Sequence, residues 1–291
     1  MVKNVFIRHL IITLSMFLIP NDEMFVRMNY KRKIGRSLNL ENPKFFTEKI
    51  QWIKLNEKNQ LYTIYSDKLL VRDYIEEKIG SRYLIPLLGV YGKFDDINFE
   101  ELPESFVIQC NHDSGSTFVV NDKNDINIKE FKSFFNYRWK ENYYHFTRER
   151  HYDGITPKIM ITLMLGDSKG INDYKFFCFN GKVKYIQVDS SRFSGHQRSV
   201  FDIEWNRLDF KWRYEHCEPI PDKPNELKKM IDICEKLAEP FYFVRVDLYY
   251  VDGKIYFGEM TFTPVSGYEK FEKDEYDLEF GSSLILPIER R

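Results

Sequence analysis

"FVRVDLYYVDGKIYFGEMTFTP", residues 243–264, holds two runs of mostly apolar and aromatic residues on either side of Asp252-Gly253. It reads as two strands joined by a tight turn. Arg245, Asp247 and Glu259 interrupt those runs, and charges in buried strands need partners. The length of the turn decides whether they can supply one another. A two-residue loop pairs Val251 with Lys254 and sends residues 247 and 259 to opposite faces. A three-residue loop with Gly253 left-handed and a following bulge pairs Tyr250 with Lys254 and Arg245 with Glu259. The second register is the expected one. It puts Arg245, Asp247, Glu259 and Thr261 on one face, with Val244, Val246, Leu248, Met260 and Phe262 on the other.

Two carboxylates on adjacent strands repel unless positive charge lies between them. Mg²⁺, a hard cation that prefers oxygen, suits that position, and Arg245 adds a fixed charge for phosphate. An arginine paired with carboxylates on a solvated sheet face satisfies the same spacing, so both readings stand at this point.

Two further stretches carry polar residues where strands are expected. "DYKFFCFNGKVKYIQV" is a hairpin turning at Asn180-Gly181, with Lys175 among aromatics. A desolvated lysine there suits a nucleotide phosphate; a protective edge-strand lysine is the plainer alternative. "CNHDSGST", residues 110–117, is a glycine-bearing turn between "SFVIQ" and "TFVV". Its backbone N–H groups, at Ser114 and Gly115, could face phosphate oxygens. It is not a Walker A loop, and Asp113 is an awkward neighbour for phosphate. An ordinary hairpin turn explains it equally well.

At 291 residues with 43% hydrophobic and 16% aromatic content, the chain can bury a large core. A net charge of −1 gives no reason to expect a nucleic-acid partner. Residues 1–40 nevertheless hold seven cations against Asp22 and Glu23, a net of +5 that leaves −6 for the rest. Within that basic start the apolar run from Leu10 to Ile19 is too short to span a bilayer, and no small-residue cleavage site follows. It reads as a packed or membrane-surface helix, in a cytoplasmic protein with a peripheral contact at the inner face of the membrane as the open alternative. The four cysteines are widely spaced, without a C-x-x-C pair, and fit reduced core thiols rather than a zinc site or disulfide framework.

Residues 47–80 read as helical, with Thr47 opening one helix and Ser66 capping the next. From residue 83 the period becomes that of strands, interrupted by helices near 128–144 and at "KPNELKKMIDICEKLAEP". The expected class is α+β with mostly antiparallel hairpins: a helical section over 1–82, then one composite domain over 83–291.

In chain order, "LNLENPKFFTEKIQWIKL", "SDKLLVRDYI", "FVIQCNHDSGS", "DYKFFCFNGKV" and the opening stretch with Ser266-Gly267 resemble the TupA-like branch of the ATP-grasp superfamily, over roughly residues 24–286. That branch is associated with teichuronopeptide and other cell-surface polysaccharide synthesis. The resemblance implies an ATP-grasp fold whose two α+β lobes clamp ATP, with Mg²⁺ on Asp247 and Glu259 and a phosphate-facing Arg245. Lys175 would join Arg245 in stabilising developing charge, and Gln109, Ser114, Gly115 and Thr261 would line the nucleotide site. It implies carboxylate activation by ATP followed by attack of an amine, between an amino acid or similar amine and a uronic-acid-containing glycan.

Three positions depart from the pattern. Thr261 replaces an asparagine but still offers an oxygen. Gln109 replaces a nucleotide-contacting lysine, and Thr162 stands where a glutamate is common. For the acceptor, the cations Lys68 and Arg72, one helical turn apart, and Arg192 and His112 are the candidates; ion-paired solvated positions are the alternative for the helix pair. A catalytically silent nucleotide-binding scaffold fits Gln109 and Thr162. A glycosyltransferase fits less well, since no D-x-D motif occurs.

Overall fold

The computed structural model describes residues 21–166, 171–190 and 195–288. The apolar run at 10–19 and Arg192 therefore lie outside the described residues. Among the described residues four helices come first: α1 (Asp22–Ile34), α2 (Phe46–Asn56), α3 (Leu61–Ser66) and α4 (Val71–Lys78). Asn21 opens α1 by accepting the Met24 N–H at 3.0 Å, and Gly35, left-handed at φ 97°, closes it. Ser66 is not the cap of α4 but the last residue of α3. Asp67 Oδ1 instead takes the Leu69 N–H at 2.8 Å in an extra turn before α4, which has no side-chain cap of its own.

Two antiparallel sheets follow. The first contains β1 (Leu87–Tyr91), β2 (Phe106–Cys110), β3 (Phe118–Val120) and β4 (Ile159–Leu163) in the order β1-β4-β2-β3. Helix α5 (Ile128–Lys140), entered between β3 and β4, seals one face by burying Phe135 against Phe94, Phe106 and Ile108. A short α6 (Tyr144–Thr147) leads back towards the second sheet. That sheet contains β5 (Asp173–Phe179), β6 (Lys182–Ser190), β7 (Gln197–Phe201), β8 (Phe243–Val251) and β9 (Lys254–Thr261) in the order β7-β6-β5-β8-β9. Helix α7 (Leu227–Ala238) and α8 (Asp274–Ser282) pack on it.

Each sheet has its own apolar cluster, which gives two lobes and the expected α+β class. The front helices do not form a separate core. Phe46 and Ile50 of α2, Tyr62 of α3 and Ile75 of α4 belong to the same cluster as Phe177 and Val246 of the second sheet. Only α1 packs apart, through Phe25, Tyr30 and Ile34 against Tyr268.

The β8–β9 turn overturns the expected register. Asp252 and Gly253 form a two-residue loop, both left-handed (φ 50° and 74°), and Val251 pairs with Lys254. The parity change occurs inside the strand instead. At Gly258 β9 bulges, so Leu248 pairs with Phe257 while Asp247 pairs with Glu259 and Arg245 with Thr261. A side chain on residue 258 would place its Cβ 3.0 Å from the Asp247 carbonyl oxygen, which is why glycine occupies the bulge. Residues 245, 247, 259 and 261 thus share a face by a different route from the one expected. The β5–β6 hairpin turns at Asn180-Gly181 as expected, with Phe179 opposite Lys182.

Candidate functional site

Strands β5, β8 and β9 of the second sheet bring six polar residues together. Arg245 lies between the carboxylates, with Nε 2.6 Å from Asp247 Oδ1 and Nη2 3.1 Å from Glu259 Oε1. Arg245 Nη2 also donates to Thr261 Oγ1 at 3.0 Å, and Thr261 donates to Glu259 at 3.2 Å. Lys175, opposite Asp247 on β5, donates to Asp247 Oδ2 at 2.6 Å and to Asp173 Oδ2 at 2.5 Å. Arg245 thus pairs with both carboxylates, and Lys175 is a second counter-ion to Asp247.

Exposure differs along this cluster. Asp247 and Lys175 are buried, whereas the Glu259 side chain is 43% exposed. Burial pushes the Asp247 carboxyl up to about 6, against the pull of Arg245 and Lys175. For Glu259 the opposing effect of burial is outweighed by Arg245, Lys68 and Lys175, which hold it down to about 2. Burial also opposes the Arg245 charge, but Asp247 and Glu259 more than compensate and raise its pKa further. The result is an ionised carboxylate facing outward over a buried charge network.

The donor set fits a divalent cation. Two carboxylates directly opposite each other, beside a hydroxyl, supply as many protein oxygens as Mg²⁺ usually takes when phosphates and water complete its shell. No group of three or more His, Cys, Asp or Glu residues suited to a metal occurs among the described residues, so such an ion would depend on phosphate oxygens to complete its shell.

The 110–117 loop belongs to the first lobe. Gly115 is left-handed (φ 90°), and Ser114 and Gly115 are exposed at the tip. The awkward Asp113 is turned inward: Arg138 of α5 contacts its Oδ2 at 2.6 Å, and Ser116 donates to it. Arg138 further pairs with Glu141 at 2.8 Å and donates to the Ser114 carbonyl at 2.8 Å. The loop therefore presents backbone without presenting the Asp113 charge.

The other candidate residues fall in different places. Lys68 donates from Nζ to the Asp113 carbonyl and reaches Glu259 electrostatically, so it ties the loop to the carboxylate side of the site. Arg72 donates to the Ile85 carbonyl at 3.1 Å. His112 is buried, with Nε2 3.0 Å from the Arg138 carbonyl oxygen, and burial pushes its pKa down. These contacts tie His112 to α5 and Arg72 to the segment before β1. Gln109 accepts from Thr117 Oγ1 at 3.0 Å on the β2–β3 hairpin, and Thr162 is buried on β4.

Sequence reasoning missed three residues of this framework. Asn111 donates to Asp67 Oδ1 at 3.0 Å and accepts the Lys158 N–H at 2.7 Å, joining the loop to the helical section and to β4. Arg138 sat in an ordinary amphipathic helix. Asp173 was readable only as a strand-end acid, although its i, i+2 spacing from Lys175 puts both on one sheet face.

The family model for TupA-like ATPgrasp matches residues 48–285, most of the chain. The chain belongs to the TupA-like ATP-grasp family. Among curated proteins no significant match is found. Among solved structures, this TupA-like chain is similar to a D-alanine–D-alanine ligase from Bacillus anthracis at 18% identity and a TM-score of 0.42, covering 68% of this chain and 57% of that one. It is also similar to an L-amino acid ligase from Bacillus licheniformis at 11% identity and a TM-score of 0.44, covering 77% and 50%. A D-alanyl-alanine synthetase A from Vibrio cholerae aligns at 9% identity and a TM-score of 0.42, over 82% and 72%. The chain thus spans little more than half the length of the first of these.

Proposed function

We propose that this TupA-like protein is an ATP-dependent ligase that activates a carboxylate and joins it to an amine, acting on a cell-surface polysaccharide or its precursor. The observation that carries the ligase reading is the Arg245–Asp247–Glu259–Lys175 cluster, with one ionised carboxylate outward and a backbone-presenting loop in the neighbouring lobe. The polysaccharide setting rests on the family resemblance, and a uronic acid is the carboxylate it suggests.

Mg²⁺, when bound with ATP, would neutralise phosphate charge at Asp247 and Glu259. The chain's own residues do the positioning. Arg245 and Lys175, held on Asp247, are the cations that would stabilise charge developing on phosphate oxygens. Ser114 and Gly115 offer backbone N–H groups, and Lys68 fixes their loop by its bond to residue 113. A substrate carboxylate oxygen attacks the γ-phosphorus and ADP leaves. An amine then attacks the acyl carbon, phosphate leaves, and the amine nitrogen gives up its proton. Orientation and charge stabilisation suffice for both displacements, so no protein nucleophile is required.

A non-catalytic nucleotide-binding scaffold is the second reading, favoured by the uncharged Gln109 tied to Thr117. Calorimetric titration with Mg²⁺ and a non-hydrolysable ATP analogue tests the site. The expected result is binding by the wild type that Asp247→Asn loses while its circular dichroism stays unchanged. Equal binding by both proteins would overturn the metal assignment, and analogue binding by a wild type that releases no phosphate from ATP in a separate assay would favour the scaffold.

A further inference from the structure

Lys68 lies in the connection between α3 and α4, outside both sheets. Tyr62 of α3 and Val71 and Ile75 of α4 are buried in the cluster of the second sheet, so this connection is mounted on the second lobe. Its backbone is nevertheless pinned to the first. The Lys68 N–H donates to the Asn111 carbonyl at 3.2 Å, and the neighbouring Asp67 accepts the Asn111 side-chain amide at 3.0 Å. From there the Lys68 ammonium donates to the Asp113 carbonyl, one residue before the exposed tip at Ser114 and Gly115. It also acts on the other lobe. Burial opposes ionisation of Glu259, but Arg245, then Lys68, then Lys175 outweigh it. One cation therefore touches the loop of one lobe and pulls on the outward carboxylate of the other.

Its bonding partner sets Lys68 apart from the other cations of the two lobes. Arg138 is taken by Asp113 and Glu141. Arg245 and Lys175 stand against Asp247, Glu259 and Asp173, two cations for three acids. Lys68 makes no ion pair among the described residues and rests on a neutral backbone carbonyl. A charged phosphate oxygen is a stronger partner for an ammonium than such a carbonyl, and the flexible lysine stem lets one replace the other. A triphosphate remains anionic after its Mg²⁺ is counted. Since neither cluster carries surplus positive charge, a cation from outside them is needed to receive it.

We propose that Lys68 is the phosphate-binding lysine of the nucleotide site: it leaves the Asp113 carbonyl for a phosphate oxygen when Mg·ATP enters, and it supplies the charge that Gln109 lacks. This rests on the ligase reading and deepens it by adding a residue to the nucleotide site. It moves Lys68 from the acceptor, which its one-turn spacing from Arg72 suggested, to the nucleotide. Arg72 does not accompany it, being bonded to the Ile85 carbonyl. The uncharged Gln109 then no longer argues for a silent scaffold, because the helical section provides the missing cation.

The test is calorimetric titration of the full chain, in Mg²⁺, with a non-hydrolysable ATP analogue. Lys68→Met and Lys68→Gln should each weaken analogue binding by about tenfold or more, the loss of one charge-assisted contact. The double variant Lys68→Met/Gln109→Lys should recover most of the affinity, because the charge returns from β2. Lys68 is only partly buried, and unchanged circular dichroism confirms that each variant folds. Wild-type affinity in both single variants overturns this proposal alone. A loss that Gln109→Lys does not recover also overturns it, since Lys68 then acts only by holding the loop. A wild type that binds no analogue overturns the proposal together with the ligase reading.

Discussion

Arg138 and Arg245 bind two carboxylates each, yet they differ in what surrounds them. Arg138 holds Asp113, Glu141 and a backbone carbonyl, with both carboxylates almost wholly buried. Arg245 holds Asp247 and Glu259, but Glu259 is 43% exposed and Lys175 supplies a second cation. The contact chemistry is the same in both. What separates them is an open edge: a closed network shapes a loop, whereas an open one leaves a charge available to something outside the protein. Exposure of one member, more than the presence of buried charge, marks the candidate site.

The contrast predicts opposite phenotypes for the same substitution. Arg138→Met strands two buried carboxylates and should cost about 3–5 kcal/mol of stability, read as a large fall in the urea midpoint, with weaker binding of the Mg·ATP analogue only as a secondary effect of the loosened 110–117 loop. Arg245→Met should cost less, about 2 kcal/mol, because Lys175 still neutralises Asp247 and Glu259 can rehydrate. Its main effect should be loss of analogue binding by calorimetry. If the two variants behaved alike in both assays, the distinction between closed and open clusters would be lost.

A third pair sharpens the comparison. At the far side of the same sheet Arg198 Nε contacts the buried Asp189 at 2.6 Å. Burial opposes ionisation of Asp189, but Arg198 outweighs it and holds the carboxyl down to about 2, below its ordinary 3.8. A depressed carboxyl stabilises the fold above its unfolded value and loses that contribution as pH falls through the folded one. The window is therefore about pH 4 to 2, and the contribution is about 2 kcal/mol. Acid unfolding of the wild type against Asp189→Asn checks this: the stability gap should be full at pH 6 and nearly gone at pH 2. A gap that stayed constant would show that Asp189 acts by packing alone.

Some of this was legible from one dimension. The spacing of residues 243–264 announced two strands, a tight turn and a shared polar face, and Asn180-Gly181 announced the second hairpin. The sequence misled where two local solutions give the same face. A three-residue loop and a two-residue loop with a bulge at Gly258 both restore parity, and only cross-strand packing chooses between them. Ser66 failed as a cap for a similar reason, since Asp67 one residue later competes for the same N–H groups.

By itself, then, the sequence determined the α+β class, the two hairpins and the gathering of Arg245, Asp247, Glu259 and Thr261, because strand periodicity is a local property of the chain. Tertiary structure decided which charges were closed and which were open. Asp113 became harmless only because α5 delivers Arg138 to it, and Lys68 came to bridge the lobes only because Asn111 docks on Asp67. Burial and electrostatic pairing depend on neighbours far apart in the chain, and no local pattern encodes them.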